Sequence, residues 1–181
     1  MAGPITPGES PSADYVGLGE FFEFTNWDGR WTPFNCGQAA ACTMLRHHGI
    51  IAGALEPASA MLAIERAHPP DNLGGWFGTS RYCVERICRS RGVKLKEVRG
   101  EEKFREQLAA GRPVIVMLGV PGKKFLGYTT PAGHWMVAYG FDRDFVYLSN
   151  QGQMSWDDFR RGWRSLVPRL IRMNGRGLVP R

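Results

Sequence analysis

The chain has 181 residues, is 43% hydrophobic and 22% charged, and carries a formal charge of +6. That length accommodates one domain, since domains run to about 100–200 residues, and the apolar content excludes disorder throughout. Apolar runs such as Pro113–Val120 are of strand length, so none reaches the roughly 20 residues that cross a bilayer.

The last four residues, Leu178-Val179-Pro180-Arg181, read as the remnant of a thrombin-cleavable tag. That places 178–181 outside the fold and lowers the charge to +5 (22 basic minus 17 acidic). The same four letters recur at Leu166–Arg169. Of the 23 basic residues, 18 are Arg. A basic stretch from Arg160 to Arg176 can meet an acidic surface, but a solvated face is the plainer reading, and no nucleic-acid partner is expected. The N-terminus has neither a basic n-region nor an apolar h-region, so no secretory signal is read and the cytoplasm is the expected location. Cys36, Cys42, Cys83 and Cys88 form no C-x-x-C pair and are expected as free thiols. The four histidines are scattered too, so no metal site and no cofactor are expected.

Residues 1–14, with three prolines, read as a flexible tail, and 15–175 as a single domain. The aromatic-rich stretch 15–35 reads as loop and short elements laid on a core. A helix is expected from Cys36 to Gly49, buried on most sides because Gly37, Ala39, Ala40 and Ala41 admit close neighbours. A second covers about Pro57–Ala67. A Gly/Pro loop over 68–78 contains Gly74-Gly75, read as a turn, and Trp76, read as cleft lining or core. A third helix starts at a Thr79 or Ser80 cap and stops at Gly92. Beyond it, Val93–Val98 reads as a strand, Glu101–Ala110 as a helix, Pro113–Leu118 as a buried strand, and Gly119–Gly133 as a long loop. His134–Phe141 and Phe145–Ser149 make a hairpin. Ser155 caps a short helix, and Leu166–Met173 reads as a last strand, with Pro168 implying an edge. Helices first and an antiparallel sheet later describe an α+β domain.

Cys36 begins a helix, where unpaired N–H groups and a partial positive charge favour a thiolate nucleophile. A nucleophile needs a base. His47 and His48 lie roughly 17 Å along the same helix at about 1.5 Å per residue, out of reach. His68 has nothing to orient it. His134 opens a core strand after a long loop and is the candidate base. Asn150 ends the next strand of the hairpin, so it can neighbour His134 and fix the ring through its amide oxygen.

The segments Asn35-Cys36-Gly37-Gln38-Ala39-Ala40-Ala41, Gly133-His134-Trp135-Met136-Val137-Ala138-Tyr139-Gly140-Phe141-Asp142 and Met154–Trp163, with Gly111-Arg112-Pro113-Val114-Ile115-Val116, resemble the bacteriocin-processing (double-glycine leader) peptidases and their papain-like relatives over residues 20–173. The resemblance implies a papain-like fold with Cys36 as nucleophile, His134 as base and acid, and Asn150 as orienter. Relatives carry a glutamine six residues before the cysteine, where this chain has Arg30. Asn26 is the nearest upstream carboxamide and the candidate oxyanion donor, together with the Cys36 N–H. The leader peptidases have Asp at the position of Asn150 and are commonly fused to a transporter, so cleavage after a Gly-Gly leader is not expected.

Three functions follow from these readings. The first is a cysteine peptidase acting on a peptide or protein. The second is a glutamine deamidase or transglutaminase-type bacterial effector, with an inhibitor or immunity protein as partner. The third is a non-catalytic peptide-binding module. Cys42, Cys83, Cys88 and Trp135 read as packing residues.

Overall fold

The structure, a computed structural model, describes residues 13–30, 34–51, 56–72, 78–125 and 128–181, with main chain alone over 121–125 and 128–131. Trp31, Gly74, Gly75, Trp76 and residues 1–12 of the expected tail lie outside the described residues.

The elements in chain order are β1 (Val16–Gly17), a one-turn 3-10 helix (Asn26–Asp28), α1 (Cys36–His47), α2 (Pro57–Ala67), α3 (Arg81–Ser90), β2 (Leu95–Arg99), α4 (Glu101–Ala109), β3 (Val114–Phe125), β4 (Tyr128–Phe141), β5 (Phe145–Leu148), β6 (Gly152–Ser155), α5 (Trp156–Trp163), α6 (Leu166–Leu170) and β7 (Arg176–Pro180). The α+β reading holds. Local rules set the helix limits: Ser80 accepts the Cys83 N–H at the start of α3, Ser155 does the same for Asp158 at α5, and Gly49 takes a left-handed φ of 69° just beyond α1.

Every strand pairing is antiparallel. The seven-stranded sheet runs β2-β7-β3-β4-β5-β6, and β1 pairs with the end of β4. Alternation along the strands splits the core in two. Ile115, Met117, Trp135, Val137 and Leu178 face α1, α2 and α3. Val114, Val116, Leu118, Met136, Ala138, Val146, Leu148 and Val179 face Phe104 and Leu108 of α4 and Trp156, Phe159 and Trp163 of α5. The buried face of α1, with Ala39, Ala40, Ala41, Cys42, Met44 and Leu45, lies against the first layer.

Three expectations need correction. Residues 119–125 and 128–133 are strand rather than loop, because β3 and β4 pair from Val114↔Ala138 out to Phe125↔Tyr128. Inter-strand pairing overrides the Gly/Pro content, and the β3–β4 register shifts between Pro121 and Lys124. Leu166–Leu170 is helical, not an edge strand. Pro168 falls in its first turn, where the missing N–H removes no intrahelical bond. Leu178–Pro180, read as a tag remnant, belongs to interior strand β7 between β2 and β3, with Leu178 and Val179 both 0% exposed. Among the described residues, no helix is long and apolar enough to cross a membrane.

Candidate active site

Cys36 is the first residue of α1 and is 6% exposed. The N–H groups of Trp135, Gly37 and Cys36 itself point at its thiol. The Trp135 contact locates the sulfur in the sheet. Strand β5 ends at Leu148, opposite Ala138 of β4. Beyond that point the next outward N–H of β4, from Val137, donates to Ser149 Oγ at 2.8 Å. The outward N–H after it, two residues along, is that of Trp135, and it meets Cys36. The nucleophile candidate therefore sits in the notch where β5 stops, one residue from His134.

The start of α1 is locked to β4 through a relay of hydrogen bonds that sequence reading did not foresee. Trp135 Nε1–H donates to Thr79 O at 2.8 Å, Thr79 Oγ1–H donates to Gln38 Oε1 at 2.6 Å, and Gln38 Nε2–H donates to His68 O at 3.0 Å. Trp135 is thus a packing residue, 1% exposed, as expected. Gly37 permits this contact, since a Cβ there would lie 2.6 Å from Thr79 Cβ and Cγ2. We expect Gly37→Ala to overpack the joint and lower stability by about 1–3 kcal/mol, measurable as a fall in thermal midpoint.

His134 lies opposite Leu118 in the β3–β4 register, so its imidazole leaves the sheet on the α5 side. Burial lowers its pKa below the ordinary histidine value. Burial also raises the Cys36 thiol, outweighing the N–H groups that favour its ionised form. The expectation of a helix-activated thiolate is therefore reversed, because withdrawal from water exceeds the effect of the helix start. At neutral pH the two groups are thiol and neutral imidazole. Among the described residues, no hydrogen bond joins His134 to Cys36 or to Asn150.

Asn150 lies just beyond the end of β5. It follows Ser149 into a turn with φ 61°. Its N–H donates to Glu23 Oε2 at 2.5 Å, and its Nδ2–H donates to Phe24 O at 3.4 Å. The turn begins at the level of Val137, short of His134, and the bond to Phe24 O engages the amide nitrogen, not the Oδ1 expected to meet the imidazole. Asn26 opens the 3-10 turn, and its carbonyl accepts from Asn35 Nδ2 at 3.0 Å. His68, expected to lack an orienting group, has Nε2 3.1 Å from Ser90 Oγ. Cys42, Cys83 and Cys88 are buried and unbridged. Burial raises the thiols of Cys42 and Cys83, and that of Cys88 to about 12, as for inert core cysteines.

A buried helix that presents a cysteine to the edge of an antiparallel sheet defines a papain-like α+β domain. The chain is similar to a C39-like peptidase from Bacillus anthracis, with 13% identity and a TM-score of 0.63 over 92% of this chain and 97% of that one. It is also similar to the peptidase domain of Streptococcus ComA, a bifunctional ABC transporter involved in a quorum-sensing pathway (13% identity, TM-score 0.53, 81% of this chain and 90% of that one). A third similar structure is a double-glycine-motif protease from an AMS/PCAT transporter in complex with the leader peptide (16% identity, TM-score 0.51, 84% and 89%). At such identities the likeness is one of fold, and the chain has the papain-like fold of the C39 peptidases. No protein-family model matches the sequence, and no curated protein matches it.

Proposed function

We propose that the chain is a papain-like cysteine hydrolase, most directly a peptidase, in which Cys36 attacks an acyl carbon and His134 moves the protons. The observation that carries this reading is the thiol of Cys36 at the start of a buried helix, met by the N–H groups of Trp135, Gly37 and Cys36, within a fold shared with C39 peptidases. A neighbour solved with a peptide bound supports a peptide as substrate.

The neutral resting pair suits general-base attack. His134, unprotonated at neutral pH, takes the thiol proton as the C–S bond forms, then gives it to the leaving amine as the C–N bond breaks. In the second half-reaction it takes a proton from water, which attacks the thioester carbon and returns the thiol. The N–H of Cys36 and the Asn26 carboxamide are the proposed oxyanion donors. Asn150 Oδ1 is the proposed acceptor for the His134 ring N–H, with the amide nitrogen held on Phe24 O.

The pH dependence tests this reading. Because burial raises the thiol, alkylation of Cys36 by iodoacetamide should keep climbing through neutral pH, without the acid plateau of a preformed ion pair. Hydrolysis of a peptide substrate should instead rise as His134 loses its proton below the ordinary histidine value. Mass spectrometry after treatment with an electrophilic peptide should show one adduct, on Cys36. An adduct on another cysteine would overturn the assignment.

A peptide-binding module without catalysis is the second reading. It is favoured by the raised thiol and by the lack of a His134–Cys36 hydrogen bond among the described residues. It predicts peptide binding with no acyl-enzyme at any pH.

A further inference from the structure

The strongest polar feature outside the expected triad is Glu65, a carboxylate on α2 that is 3% exposed. Its helix otherwise buries Ala60, Met61 and Ile64, so Glu65 extends an apolar stripe into which a carboxylate does not belong on hydrophobic grounds. A buried charge costs several kcal/mol unless it is hydrogen-bonded. Here the donors come from the chain just ahead of the nucleophile. The Arg30 N–H donates to Oε2 at 2.7 Å, and Asn35 Nδ2–H donates to Oε1 at 2.8 Å. The same Asn35 amide also donates to Asn26 O at 3.0 Å. Gly29 lies so close that a Cβ there would sit 2.3 Å from Glu65 Oε1.

Glu65 thus gathers both ends of the 26–35 segment. It holds the turn Asn26–Arg30, which begins with the candidate oxyanion carboxamide. It also holds Asn35, whose peptide bond leads to the N–H of Cys36. Asn35 is 0% exposed, and its Oδ1 has no partner among the described residues. A buried acceptor left unmatched costs about 1–3 kcal/mol. The structure keeps both donors of this amide on Glu65 and Asn26 at that cost.

We infer that Glu65 is the positioning residue of the oxyanion side of the site. Its carboxylate sets the Asn26 turn against the start of α1, so that its loss slows attack on a carbonyl but not reaction of the thiol itself. The inference rests on the hydrolase reading above and assigns it a residue that touches neither substrate nor sulfur.

The test compares two reagents at Cys36. Acylation by p-nitrophenyl acetate passes through a tetrahedral oxyanion, whereas alkylation by iodoacetamide does not. Glu65→Gln keeps the shape and one acceptor, and it should slow acylation by about 10²-fold, with Glu65→Ala slower still. Alkylation should change by less than about twofold. Hydrogen exchange should quicken in the peptide covering 25–36 and stay unchanged in the sheet, which separates a released clamp from general destabilisation. Equal losses in both reactions, or exchange that quickens everywhere, would mean that Glu65 acts only as packing and would overturn the inference. So would a Glu65→Gln protein that acylates like wild type. A wild-type Cys36 that is never acylated would overturn the hydrolase reading, and this inference with it.

Discussion

Deleting Leu178–Arg181 is expected to leave no stably folded protein at 25 °C. Strand β7 sits between β2 and β3, and its two apolar side chains enter different layers, Leu178 beneath α1 and Val179 beneath α4 and α5. Each loses about 1.5–3 kcal/mol of burial, and the cavities left behind add to that. Strand β2 loses the partners of Leu95, Lys96 and Glu97, which pair with Pro180, Val179 and Leu178. Orphaned backbone groups cost about 1–3 kcal/mol each where water cannot reach them. The total rivals the whole stability of an ordinary domain, about 5–15 kcal/mol. Near-ultraviolet circular dichroism and a thermal scan read the outcome. A truncated chain that melts cooperatively within a few degrees of the full one would restore the view of these residues as an appendage. Leu178→Asp is expected to give nearly as large a loss, by burying a charge without a partner.

Cys36→Ala is expected to abolish acyl transfer, with a loss on the order of 10⁴–10⁶ in kcat, the scale seen when a nucleophile that works with its base as one unit is removed. His134→Ala is expected to approach the same loss, because the thiol, held neutral by burial, cannot attack without surrendering its proton. Asn150→Ala is expected to cost far less chemistry, since an orienter neither attacks the carbonyl nor carries the proton. A burst of p-nitrophenol from an activated ester, followed by mass spectrometry of the acyl-enzyme, measures all three. Undiminished turnover in Cys36→Ala would sink the mechanism. Stability offers a control. The Trp135 N–H loses its sulfur partner in Cys36→Ala but finds an oxygen in Cys36→Ser, so the alanine protein should be the less stable by about 1 kcal/mol.

Much of the architecture is legible in the sequence because it rests on local rules. The helices at Cys36, Pro57, Arg81, Glu101 and Trp156 begin where the sequence places them, two of them behind the side-chain caps Ser80 and Ser155. The α+β class follows from their order, and the Cys-Gly and His-Trp blocks mark the two sides of the site. The failures share one cause. Leu166–Leu170 and Leu178–Pro180 each contain a short apolar run around a proline, and nothing within either run separates helix, strand and tail. The Gly/Pro content of 119–133 signals a loop until the pairing of two long strands outweighs it.

Sequence by itself determined which residue types are available for chemistry, and it placed Cys36 at a helix start and His134 on a core strand. Only the tertiary structure decided what those groups can do. It set the sulfur in the notch where β5 ends, tied the Asn150 side-chain nitrogen to Phe24 O, and brought Glu65 from 35 residues away onto the Arg30 N–H. The physical reason is the reach of each effect. Caps and periodicity act within a turn or two of the chain, whereas burial and hydrogen-bond partnership depend on which distant segments meet. The helix start alone favours the ionised form of Cys36. The packing of α1 against the sheet withdraws it from water, and that burial prevails.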